Sequence, residues 1–158
     1  MRFFRWLVVV LSLLLFVGAQ ALFLLNQPTV LPASWGVSAG PRDNAFALVS
    51  HFILSAIYLV PGLGLGTLIV RRHPRHLIGW LLLAVGLSLT LLLFVKELTI
   101  YTYFTRPVPA ASGFYAALAG GAAWTMQVVW VIPFGLCLWL GSVFPDGRLP
   151  SPRWRWLI

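Results

Sequence analysis

With 158 residues the chain is long enough for one soluble domain, yet 60% of its residues are hydrophobic and 9% charged, against roughly a quarter charged in an ordinary globular domain. That composition excludes a soluble fold and assigns the protein to lipid. The formal charge of +8 does not point to nucleic acid, because the basic residues lie in short clusters beside apolar runs and form no basic face interleaved with aromatic residues.

The first apolar run, 4–25, follows Arg2 and Arg5. Its Ala19-Gln20-Ala21 triplet resembles a signal-peptidase site. The apolar stretch nevertheless continues through Leu22-Phe23-Leu24-Leu25 to about the length that a bilayer crossing needs, so the segment reads as an uncleaved anchor. Asn26 to Asn44 carries Pro28, Pro32, Gly36, Gly40 and Pro41, the punctuation of an irregular connection. Within it Trp35 suits the membrane interface, and Arg42-Asp43 forms a locally neutral pair; the stretch reads as a connector.

The second run, 45–70, places His51, Ser55 and Tyr58 along one helical stripe, a candidate intramembrane polar site. An ionisable side chain within a span is costly and often marks a proton or ligand site. The plainer reading of His51 is a neutral imidazole bonded to a neighbouring helix, and haem ligation finds no second intramembrane histidine. Pro61 predicts a bend, while Gly62 and Gly66 form a small-xxx-small face for close helix approach. The glycines of this run sit inside apolar sequence and so do not make a nucleotide loop.

Arg71-Arg72-His73-Pro74-Arg75-His76 is a basic turn between two bilayer-length apolar runs, which reads as a cytoplasmic loop because Lys and Arg are retained on the inner side. The third run, 77–100, is Leu-rich, with Gly79 and Trp80 at its start and the adjacent charges Lys96-Glu97 near its end. Those two charges are expected to neutralise each other near the interface. A turn at 106–113 leads to the fourth run, 116–144. There Gly121 belongs to a small-residue face, Thr125 and Gln127 are expected to bond across helices, and Pro133 predicts a kink near Val129 and Trp130. The prolines make the second and fourth runs the expected mobile pair, and the proline-free third run the rigid reference.

Beyond Phe144, Pro145-Asp146-Gly147-Arg148-Leu149-Pro150-Ser151-Pro152-Arg153-Trp154-Arg155 forbids a continuing helix, and its arginines assign it to the inside. Trp156-Leu157-Ile158 reads as the start of a fifth span, so the polypeptide is expected to be a fragment or truncated product. The expected fold is all-α, an integral membrane bundle of four transmembrane helices with both termini cytoplasmic. Cys137 is the lone cysteine, which excludes an intrachain disulfide and a cysteine metal cluster. No cofactor, metal or catalytic site is expected, and the expected surrounding partner is the lipid bilayer.

Two of these stretches carry a resemblance. Arg71 to Leu82, with Arg71, Arg72, Pro74, Gly79 and Trp80, resembles the arginine-proline turn and Ile-Gly-Trp-Leu-Leu helix start of a multi-span bacterial membrane module. Phe144 to Arg155, with Pro145, Asp146, Gly147 and Arg148, resembles the inside turn after that module's fourth span. The module lies at the N-terminus of two-component sensor histidine kinases, chiefly of actinobacterial and chloroflexus-like bacteria. In that pattern an Asn-Pro commonly precedes the Ile-Gly-Trp, where this chain has His76-Leu77. The resemblance implies a non-catalytic sensor and anchor region in the bacterial inner membrane. It further implies a homodimer formed through the full-length kinase, and a response regulator reached only through a catalytic part beyond Ile158. A stand-alone small membrane protein, such as a transporter or channel subunit or an assembly factor, is the alternative.

Overall fold

The computed structural model describes residues 2–106 and 113–144. Among them, four helices are long and apolar enough to cross a membrane: Phe3–Leu25, Ala45–Arg72, Leu77–Thr105 and Gly113–Val143. The protein is an all-α, multi-pass helical bundle of the kind that lipid demands, since within hydrocarbon a helix satisfies its own backbone hydrogen bonds. The turns at 107–112 and 145–158, including Pro145, Asp146, Gly147, Arg148 and the expected start of a fifth span, lie outside the described residues.

Helix α1 (Arg2–Leu25) is unbroken. The following segment is more ordered than its prolines and glycines suggest: β1 (Val30–Leu31) pairs antiparallel with β2 (Gly40–Pro41) around a short 3₁₀ turn, Ala33–Ser38. Gly40 allows this reversal, because its φ of 101° lies where a side chain is strained. Asn44 caps α2 (Ala45–Leu59) by accepting the Ala47 N–H at 2.7 Å, and so supplies one of the partners that a helix start lacks.

The second span runs on without a loop from α2 through a π-helical turn, Val60–Leu65, into α3 (Gly66–Arg72). Pro61 sits in that turn; its missing N–H is accommodated by local widening of the helix. Helix α3 stops at His73 because the residue before a proline is driven out of the helical region. The reversal is pinned when the Trp80 indole donates to the Pro74 carbonyl at 2.9 Å. Thus Pro74 and Trp80, two residues of the first motif, form one turn.

Helix α4 (Leu77–Ile100), extended by a π-helical turn at Tyr101–Thr105, is the centre of the bundle. Its most apolar window is 56% buried, against 17–28% for the other three spans, and all the other spans pack on it. At the end bearing the Arg71–His76 turn, the turn end, Ile78 and Leu81 meet Val143, while Leu83 meets Val8, Leu63 and Val70. The other end, where residues 26–44 cross, is the loop end.

The expected kink in the fourth span is a break. Helix α5 (Gly113–Val129) and helix α6 (Val131–Val143) are separated at Trp130. Pro133 accounts for it, since its ring opposes the carbonyl four residues earlier, that of Val129. Gly121 departs from expectation: a methyl group there would meet nothing within 4 Å, and the packed face of α5 consists of Ala119, Ala122 and Val129. Thr125 likewise bonds within its own helix, to the Gly121 carbonyl, and Gln127 is exposed.

The glycine face of the second span packs closely on α4. A methyl group on Gly62 would come within 2.5 Å of the Gly86 Cα, and one on Gly66 within 2.9 Å of the Leu83 nitrogen. Gly79 completes the seam against Ile69 and Val70. Such contact substitutes for the hydrophobic drive that lipid does not provide between helices.

Candidate functional site

At the loop end a polar knot is buried among apolar residues. Its centre is Glu97 of α4, whose side chain is fully buried. Both carboxylate oxygens accept from Arg42 Nη2, at 2.8 and 2.7 Å. Asn26 Nδ2 donates to Glu97 Oε2 at 3.0 Å and to the Glu97 carbonyl at 2.9 Å. The Asn26 Oδ1 accepts from Thr105 Oγ1 at 2.6 Å. Because that bond uses the single Thr105 hydroxyl proton, Thr29 is the donor in the 2.7 Å Thr29–Thr105 contact. The knot therefore ties the end of α1, the connecting segment and the end of α4 together.

The second span joins the knot through His51. Its ring stacks on Phe23 with centroids 3.8 Å apart, and the Arg42 guanidinium lies 4.9 Å from the centroid of the Phe23 ring. His51 Nδ1 is 3.8 Å from Glu97 Oε1, beyond hydrogen-bond range, while His51 Nε2 is buried and has no hydrogen-bond partner among the described residues. Ser55 donates to the His51 carbonyl at 2.7 Å and accepts from Gln20 of α1 at 3.3 Å. Tyr58, the third member of the expected stripe, is half-buried and lines a cavity of about 320 Å³ together with His51.

Two sequence expectations are corrected here. Lys96 and Glu97 do not neutralise each other, because adjacent residues on a helix point about 100° apart. Glu97 turns inward to Arg42, and Lys96 donates to Ser38 Oγ at 2.8 Å. Arg42 and Asp43 are not a local pair either: Arg42 is buried on Glu97 and Asp43 is exposed. Residues 26–44 are thus part of the site as well as a connection. Trp35 packs edge-on to Phe104, with centroids 5.5 Å apart.

Sequence reading found His51, Ser55 and Tyr58 but missed Asn26, Arg42 and Glu97. A signal was present in the acidic residues, of which the chain has three: Asp43, Glu97 and Asp146. Glu97 alone of these falls inside an apolar run, where a carboxylate needs a cationic partner. Among the described residues no three His, Cys, Asp or Glu side chains gather as a metal site requires. Chemically, the knot holds a buried charge pair and offers hydrogen-bonding atoms to a neighbouring cavity. No protein-family model, curated protein or solved structure matches the chain.

Proposed function

We propose that the chain is the membrane-embedded sensor and anchor module of a bacterial two-component histidine kinase. It resides in the inner membrane with the turn end cytoplasmic and acts as a homodimer through the full-length kinase. The catalytic part, which passes phosphate to a response regulator, follows Ile158. The supporting observation is how α4 links the two ends of the bundle. Its loop end is tied by Glu97 to α1 and the connecting segment, and its turn end packs through Ile78 and Leu81 on Val143 of α6. Helix α6 leads directly to Pro145–Arg155, whose resemblance to the kinase module is the second support. A rearrangement at the loop end therefore has a continuous packed route along α4 to the end of α6.

The test is the reading frame past Ile158 and the activity of its product. A dimerisation helix and ATP-binding domain, with ATP-dependent histidine phosphorylation in membranes, is the expected result. A stop codon directly after Ile158 would overturn the reading. For orientation, a periplasm-active reporter fused at His73 is expected to be silent and one fused at Trp35 active; activity at His73 would reverse the topology. The second reading, a stand-alone membrane protein that handles a charged solute, is favoured by one observation, the buried Arg42–Glu97 pair beside His51.

A further inference from the structure

The cavity beside the knot lies between α2 and α4, under the connecting segment, and has a volume of about 320 Å³, the lower end of the range for small-molecule sites. Its polar lining gathers toward the loop end, where Ser38, Arg42, Asn44 and Lys96 contribute. Deeper, it is walled by Leu54, Leu92, Leu93 and Tyr58. Phe46 and Leu54, which both line it, are also exposed on the apolar surface of the bundle. The cavity thus opens sideways to lipid, with polarity falling along its length.

Three features set the charge of an occupant. Arg42 is committed to Glu97, whereas Lys96 forms no ion pair among the described residues and bonds only the Ser38 hydroxyl. With Arg42 and Lys96 against one carboxylate, the site has a surplus of positive charge. Next, His51 adds no accessible charge of its own: its side chain is 7% exposed and forms part of the cavity wall, while its unpartnered Nε2 is itself buried. Finally, the first turn of the 15-residue α2 contributes Phe46 and Ala47 to the wall, so the positive end of its dipole faces the same space. A metal cation is disfavoured by this charge. A small inorganic anion would leave the apolar half of the cavity unfilled.

We propose that this cleft binds a single-chain amphiphile with an anionic oxygen head, carboxylate or phosphate, its head at Lys96 and Ser38 and its tail along Leu54 and Leu92. This inference goes beyond the sensor reading: it concerns binding alone, and kinase output has no part in its test.

The full chain in phosphatidylcholine nanodiscs is titrated with radiolabelled oleate, with empty nanodiscs as reference. Oleyl alcohol serves as the uncharged tail, and acetate and inorganic phosphate as heads without a tail. Saturable binding of one oleate per chain is expected, with oleyl alcohol weaker by about tenfold or more, the scale of one charge-assisted contact, and acetate and phosphate weaker by at least as much because they bury no tail. Lys96→Gln is expected to weaken oleate by about tenfold. Ser50→Trp, which adds bulk to the cavity wall at a residue that does not bond Glu97, is expected to abolish saturable binding. Oleate uptake that is unsaturable, or equal in wild type and Ser50→Trp, reduces the effect to lipid partition and overturns the proposal. Acetate or phosphate binding as tightly as oleate would also overturn it, leaving an ion site only. If Lys96→Gln does not fold, the oleate and oleyl alcohol comparison on wild type decides the role of the head, and Ser50→Trp decides the location.

Discussion

The glycine seam fastens the second span to α4, the polar knot fastens α1 and the connecting segment to it, and they do so by opposite physics. In the seam, Gly62, Gly66, Gly79 and Gly86 carry no side chains, and backbones approach until a single methyl group would collide. The gain is many weak van der Waals contacts spread along the interface. In the knot, one carboxylate receives Arg42 and Asn26 and lies beside His51, so a few strong interactions depend on one another. A seam tolerates a partial loss. A knot in low dielectric does not, because removing one member leaves another buried and unsatisfied.

Breaking the knot is expected to have the larger effect. Glu97→Ala leaves the Arg42 guanidinium buried without a counter-charge and should cost about 3–5 kcal/mol. Reversible unfolding in mixed micelles measures this, and a loss below about 1 kcal/mol would reduce the pair to an exposed one. Replacing both Arg42 and Glu97 by Met should recover much of the loss, since a paired apolar substitution strands no charge.

Crowding the seam comes next. Gly62→Val drives a branched side chain against the Gly86 backbone and should cost about 1–3 kcal/mol. Gly121→Val, the same substitution at an open glycine in α5, should change stability by less than about 0.5 kcal/mol. Equal losses at the two positions would mean that the effect comes from glycine in a helix as such and not from close approach.

The same contrast explains what was legible in the sequence. The four spans and the positions of the prolines follow from apolar run length and backbone chemistry, which are local. Gly62 and Gly66 were legible because a four-residue spacing implies a face before any partner is known. Gly121 carried an equally good local signal but has no partner among the described residues, which spacing cannot reveal. The knot was hidden because its members come from far apart in the chain: Asn26 and Arg42 meet Glu97 across 71 and 55 residues. Arg42 beside Asp43, and Lys96 beside Glu97, offered nearer pairings that the fold declines. His51 and Ser55 were found by their stripe, without the Glu97 that makes the stripe matter.

The widened turn at Val60–Leu65 sets the phase of the second span. An α-helix advances about 100° per residue, so in a regular helix Val70 would face about a quarter turn away from His51. A π-helical turn takes up the equivalent of one extra residue, and the interval from His51 to Val70 then closes on about five whole turns. His51 and Ser55 before the turn, Gly62 within it, and Gly66 and Val70 after it are all buried. One supernumerary residue keeps His51 and Val70, which belong to different interactions, on a single line. Straightening the turn into regular α-helix at the same length would swing Val70 about a quarter turn from His51, whereas deleting one residue from it would let a regular helix hold the two in phase.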